Sequence, residues 1–261
     1  MEQNYSRHLD FEGAYNIRDA GGYETTDGNR VRWRTLFRSD SLHALTPKSQ
    51  QLLLSQGVRT IIDLRTDRFV SEQPNVFEES SEVDYQHINV MGNESIVDVI
   101  DTTVESSSAT KPPGIYSAIL DKRIGMMGQV IKTLAKPNAL PALYHCNSGR
   151  DRAGLTTMLA LGIAGVQSET IVEDSPLTAH YLWRRTVGIS VGRWIMLEPD
   201  EYPADPEYQQ AFDDQARICP REAMQGTLYH LDKVYGGIRG YLLKAGVTES
   251  ELKSLRESLV E

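Results

Sequence analysis

The apolar positions change their spacing several times along the chain, and each change predicts an element. Val31 to Phe37 alternates apolar and basic residues, the period of a half-exposed strand. Thr46-Pro47 opens a helix: Thr46 suits the N-cap and Pro47 the first helical position, with Leu52, Leu53 and Leu54 on the apolar side and Gly57 as the stop. The β-branched run from Val58 to Leu64 predicts a buried strand, and Val83 to Val90 a second one. Ile115 to Leu134 predicts a helix. Ala142-Leu143-Tyr144-His145 predicts a short strand that runs into a Gly-containing turn, and Ala153 to Ala164 is apolar enough for a buried helix. After Gln167 the pattern is mainly helical, and Thr248 with Glu251 forms the capping box of a final helix bearing Leu252, Leu255 and Leu259.

Strands that alternate with helices in this order predict an α/β sandwich with a mostly parallel central sheet flanked by helices. Residues 92–113 are polar, contain Ser106-Ser107-Ser108 and Pro112-Pro113, and predict a long loop or partly disordered insertion. No linker divides the chain, so residues 1–261 are expected to form one domain, with about 168–220 as a helical insert or lid.

Composition narrows the function. The net charge of -9 argues against broad nucleic-acid binding, though a local positive pocket can exist within an acidic surface. Two cysteines, Cys146 and Cys219, make no disulfide framework, and free thiols suit a reducing compartment. No stretch approaches a membrane span, so stable membrane insertion is not expected. The polar start from Met1 to Asp10 lacks a signal-peptide core. A cytoplasmic location is expected, with export by a route that has no cleaved signal left open.

The chemistry concentrates in His145-Cys146-Asn147-Ser148-Gly149-Arg150-Asp151-Arg152, where five residues separate Cys146 from Arg152 between a strand and an apolar helix. Five residues can wrap into a nest whose N–H groups point inward and bind a dianion at a helix N-terminus. Gly149 permits a backbone conformation that a Cβ opposes. The planar fork of Arg152 can hold two phosphate oxygens. Inward dipoles and Arg152 also favour the thiolate of Cys146, a nucleophile that can attack phosphorus and form a phosphocysteine. The leaving oxygen needs a proton. Asp151 is the first candidate acid, and Asp63 and Asp67 are alternatives.

With these residues in view, the chain resembles the protein tyrosine and dual-specificity phosphatases. Asn16 to Tyr23, Leu36 to Asp40, Gly57 to Arg65 and Tyr235 to Leu242 resemble the bacterial atypical group known as tyrosine phosphatase family 3. The resemblance implies a phosphatase fold that needs no metal or other cofactor and acts on phosphotyrosine. Phosphoserine, phosphothreonine and phosphoinositides are further substrates it suggests, with inorganic phosphate as product. Relatives usually carry Lys-Asp-Arg where this chain has Arg150-Asp151-Arg152, with a catalytic acid role for that Asp. They usually have Thr or Ser after the loop Arg, where this chain has Ala153. Without that hydroxyl, hydrolysis of the phosphocysteine is expected to be slow.

Other readings compete. A phosphate-recognising module of low turnover is one, suggested by Ala153. A rhodanese-type sulfurtransferase is another, opposed by Arg152, Gly149 and the N-terminal segment. Cys219 reads as a packing thiol. His145 reads as a structural residue orienting the loop. Arg18-Asp19 and Arg38-Ser39-Asp40 are either surface ion pairs or shapers of the pocket edge. Asp63 and Arg65 divide between a ligand site at a strand end and a network that holds the loop. Tyr23 and Tyr116 read as core or rim aromatics. Trp183, Trp194 and Met196 read as core, with a lid as the sharper alternative.

Overall fold

A computed structural model of the chain describes residues 5–92, 114–182 and 221–261. Its centre is a five-stranded sheet of β1 (Arg18–Asp19), β2 (Leu36–Ser39), β3 (Thr60–Asp63), β4 (Asp84–His87) and β5 (Ala142–His145), in the order β1-β2-β5-β3-β4. Only β1 is antiparallel to its neighbour. This is the mixed α/β sheet expected from the alternation of elements.

The central strands have no polar face because both faces are covered. Ile61 and Leu143 point into one cluster with Ile17, Phe37, Leu42 and Leu53. Their chain neighbours Ile62, Ala142 and Tyr144 point into the opposite, larger cluster. The larger cluster is closed by helices that follow in the chain: α3 (Ile115–Lys122), α4 (Ile124–Leu134), α5 (Asp151–Ala164), α6 (Ser168–Asp174), α7 (Arg221–Tyr235), α8 (Ile238–Lys244) and α9 (Glu249–Leu259). On the other side lies α1 (Pro47–Leu54), while α2 (Asp67–Glu72) follows β3.

Local signals act as expected at several ends. Thr46 Oγ1 accepts from the Ser49 N–H with Pro47 at the first position, and Thr248 and Glu251 form the reciprocal capping box. Two expectations need correction, and one helix was not foreseen. The alternating stretch Val31 to Phe37 is not a half-exposed strand: Val31 forms an isolated bridge to Val260, the sheet ladder begins at Leu36, and β2 is buried throughout because Leu36 enters the larger cluster and Phe37 the smaller. Ile115 to Leu134 is two helices that meet at Arg123, whose φ of -117° and ψ of 25° leave the helical region. The short helix α2 carried no periodic signal, having no buried residue.

The parallel register sets the ends of three strands side by side. Ser39 lies opposite His145, and His145 opposite Asp63. The chain therefore leaves β2, β5 and β3 at one edge of the sheet, with the Cys146 loop emerging from the middle strand. Carboxyl ends of parallel strands are where such folds place ligands.

Candidate active site

The loop after β5 is shaped by what its carbonyls meet. The His145 carbonyl accepts from the Leu64 N–H at 2.9 Å, and that of Asn147 from the Ser41 N–H at 3.1 Å. The Ser148 carbonyl accepts from Asn16 Nδ2 at 2.9 Å, and the Gly149 carbonyl from Arg38 Nη2 at 2.7 Å. Three consecutive carbonyls, from 147 to 149, are thus drawn outward by donors from two segments, the turn at Asn16 and the stretch from Arg38 to Ser41. In a planar trans peptide the N–H points opposite to the C=O. The N–H groups of Ser148, Gly149 and Arg150 therefore turn to the inner side of the loop, and α5 begins directly after it at Asp151.

Gly149 has φ +65°, and a Cβ there would lie 2.5 Å from the Ser39 carbonyl oxygen and 2.7 Å from Asn16 Nδ2. Both the backbone angle and the space demand glycine. Cys146, a free thiol, is 1% exposed at the base of the loop. Arg152 returns to the sheet edge, where its Nη1 donates to the Leu64 carbonyl at 3.0 Å. Asp151 lies on the first turn of α5. Its Oδ1 accepts from the Tyr116 hydroxyl at 2.8 Å and lies 3.4 Å from Arg150 Nε.

A second layer holds the loop from behind. His145 is fully buried. Its Nε2 lies 2.8 Å from Asn75 Nδ2, an amide that can only donate. The imidazole is therefore assigned the tautomer with its proton on Nδ1, which lies 3.3 Å from the Cys146 carbonyl. Burial lowers His145 to about 4, so the ring is neutral at physiological pH.

Asp63 accepts from the Arg65 backbone, from Arg65 Nε and Nη2, and from the Tyr85 hydroxyl. Burial acts to raise Asp63, and the attraction of His145 and the hydrogen bonds and charge of Arg65 outweigh it. The carboxyl therefore stays ionised where His145 is neutral. Arg65 itself is fully buried and donates to Ser41 Oγ and the Gln73 carbonyl. Asp67 stands apart, exposed at the start of α2, where it accepts from Asn89 Nδ2.

Arg18-Asp19 and Arg38-Ser39-Asp40 are not surface pairs. All five side chains are buried. Asp40 accepts from the Tyr15 and Asn16 N–H groups, setting the turn that presents Asn16 to the loop. Arg38 spans from the Gly149 carbonyl to Asp174 Oδ2 at 2.6 Å. Arg18 reaches the same oxygen at 3.3 Å and Thr178 Oγ1 at 3.0 Å, and also pairs with Asn16 Oδ1. Tyr23 donates to Asp174 Oδ1 at 2.9 Å.

Asp174 is thus a hub that sequence reasoning missed. Burial acts to raise it, and the charges of Arg18 and Arg38 with the Tyr23 hydroxyl hold it well below the usual carboxylate range. One clue exists in the sequence. Asp174 is the last residue of α6, where the helix dipole mildly disfavours a carboxylate. Asn75, the partner of His145, sits in an irregular stretch that carries no such clue.

Cys146, Asn147 to Arg152, His145, Asp63, Arg65 and Arg38 are therefore gathered around one strand end. Cys219, Trp183, Trp194 and Met196 lie outside the described residues, as do most of the 92–113 stretch and residues 183–220 of the expected insert. Residues 177–182, the described part after α6, are helical. No helix among the described residues is long and apolar enough to cross a membrane.

A mostly parallel sheet with a Cys-x5-Arg loop at its central strand end defines the protein tyrosine phosphatase class. A model of the tyrosine phosphatase family matches residues 9–261, and the chain belongs to that family. It is similar to a tyrosine-protein phosphatase of Nostoc commune, 28% identical over 232 residues covering 85% of this chain and 73% of the relative. It is also similar to the triple specificity protein phosphatase PtpB of Mycobacterium tuberculosis, 22% identical over 274 residues covering 95% of this chain and 97% of that protein.

Proposed function

We propose that this phosphatase hydrolyses phosphate monoesters through a phosphocysteine at Cys146, with phosphotyrosine as leading substrate and phosphoserine, phosphothreonine and phosphoinositides within its scope. The observation that carries this reading is the outward anchoring of the 147–149 carbonyls, which leaves an inner surface of N–H groups beside the thiol. The triple specificity for which the mycobacterial relative is named supports the breadth of substrates.

In the first step the Cys146 thiolate attacks phosphorus. The S–P bond forms as the P–O bond to the leaving group breaks, and Asp151 gives its proton to the departing oxygen. Arg152 and the loop amides hold the equatorial oxygens. In the second step the Asp151 carboxylate takes a proton from water, and the water oxygen attacks phosphorus. The P–S bond breaks, releasing inorganic phosphate and restoring the thiolate and the acid.

Asp63 is not used as the acid in this scheme, because it is fully buried and its oxygens are taken by Arg65 and Tyr85. His145, Arg38, Arg65 and Asp63 act as supports of the loop. The chain is read as one phosphatase domain with a helical insert after residue 168.

The test is a panel of phosphotyrosine, phosphothreonine and phosphoinositide substrates, run with Cys146→Ser beside the wild type. Hydrolysis by the wild type and none by the variant is expected. Turnover by the variant at the wild-type rate would remove the phosphocysteine reading. A second reading, a phosphate-recognising module of low turnover, draws on Ala153, a fully buried side chain with no hydroxyl to assist the second step. Label retained on Cys146 with little phosphate released would favour it.

A further inference from the structure

Tyr116 is almost wholly buried, yet its hydroxyl is spent on a residue of the loop. The ring packs within the larger core cluster, which also contains Cys146 and Ala153. A phenylalanine would fill the same space. The hydroxyl donates to Asp151 Oδ1 at 2.8 Å, across 35 positions of sequence. Arg150 Nε approaches the same oxygen at 3.4 Å.

We infer that Tyr116 is a positioning residue that fixes the Asp151 carboxyl so that its acidic proton sits on Oδ2 and faces the leaving oxygen. This deepens the assignment of Asp151 as general acid and rests on it. An oxygen that accepts a phenol O–H and lies beside a guanidinium carries negative charge well and a proton poorly. The proton of the neutral acid is therefore driven to the other oxygen. The rigid, packed ring of Tyr116 also limits rotation of the carboxyl, and a held geometry is what proton transfer in a transition state requires.

The inference is tested with Tyr116→Phe, Asp151→Asn and the double variant. kcat/KM is read for aryl phosphates running from electron-poor to electron-rich phenols, with inhibition by inorganic phosphate measured alongside. Electron-poor phenols leave without a proton, so only the poor leaving groups report the acid. Tyr116→Phe is expected to lose roughly tenfold with phenyl phosphate, part of what a general acid supplies. It should lose little with a nitro-substituted ester, and its phosphate inhibition constant should equal that of the wild type. The double variant should be no slower than Asp151→Asn.

A uniform loss across all leaving groups, or a raised phosphate inhibition constant, would make Tyr116 a support of the loop and overturn the inference. So would losses that multiply in the double variant, or no loss with phenyl phosphate. If Asp151→Asn leaves the leaving-group dependence unchanged, the acid assignment fails and the inference falls with it. If only Tyr116→Phe is silent, the acid assignment stands and the positioning role alone is lost.

Discussion

Ala153 directly follows the loop arginine, and its side chain is fully buried in the cluster that contains Cys146. A sulfur leaving phosphorus must take up negative charge, and a hydroxyl donor at that point would ease its departure. Here the position has only a methyl group. A rapid burst of the first product followed by slow release of phosphate is therefore expected in pre-steady-state kinetics. Ala153→Thr should shrink the burst relative to the steady rate and raise turnover several-fold. A folded threonine variant with lower turnover would sink this account. The loop itself was legible in the sequence because its residues are contiguous: Cys146, Gly149, Asp151 and Arg152 lie within one short stretch of chain. The donors that bend that turn were not legible as donors, since Asn16 and Ser41 acquire their role only through contacts far from them in sequence.

At the scale of elements, the hub formed by Asp174 joins the end of α6 to β1 and β2 through Arg18 and Arg38. The three side chains are 2% exposed or less, so each charge depends on the others for compensation. Removing one partner of a buried ion pair typically costs about 3–5 kcal/mol, mostly from the charge left behind. Asp174→Asn strands two arginines, and Arg38 is the one that holds the Gly149 carbonyl. The variant is expected to lower the melting temperature by roughly 6–20 °C, given about 2–4 °C per kcal/mol for a chain of this size. It should also weaken inhibition by inorganic phosphate. A melting temperature and phosphate affinity equal to the wild type would contradict the hub. The elements were legible where burial imposed a period or a cap marked an end, as in β3, β5, α1 and α9. They failed where context overruled pattern: α3 and α4 share one apolar stripe, and only backbone geometry at Arg123 separates them.

At the scale of the whole molecule, three buried groups, His145, Asp63 and Asp174, favour stability at neutral pH over acid, while burial raises Asp19 and sets it against them. His145 has a folded value of about 4 against an ordinary 6.5, so between those limits the unfolded chain binds the proton and the folded chain does not. Its contribution is present above pH 6.5 and is lost as pH falls toward 4, on the order of 3 kcal/mol in total. Asp63 and Asp174 are depressed in the fold, so their contributions persist above the ordinary carboxylate value of 3.8 and are lost only below it. The first acid destabilisation is therefore the imidazole's. Melting temperature should drop between pH 6.5 and 4.5, and His145→Gln should flatten that drop while being less stable at pH 7. A wild-type profile as flat as the variant's would argue against it. At this scale the architecture was legible, because alternating strands and helices admit few topologies.

The donors to Ser148 and Gly149 lie 132 and 111 positions upstream in the chain. During synthesis those donors leave the ribosome long before the loop does, and the loop has no inward-facing amides of its own until they are met. Anion capture should thus emerge only on closure of the complete sheet. Phosphate binding thus becomes a reporter of whether the segment from Asn16 to Ser41 has met the strand that ends at His145.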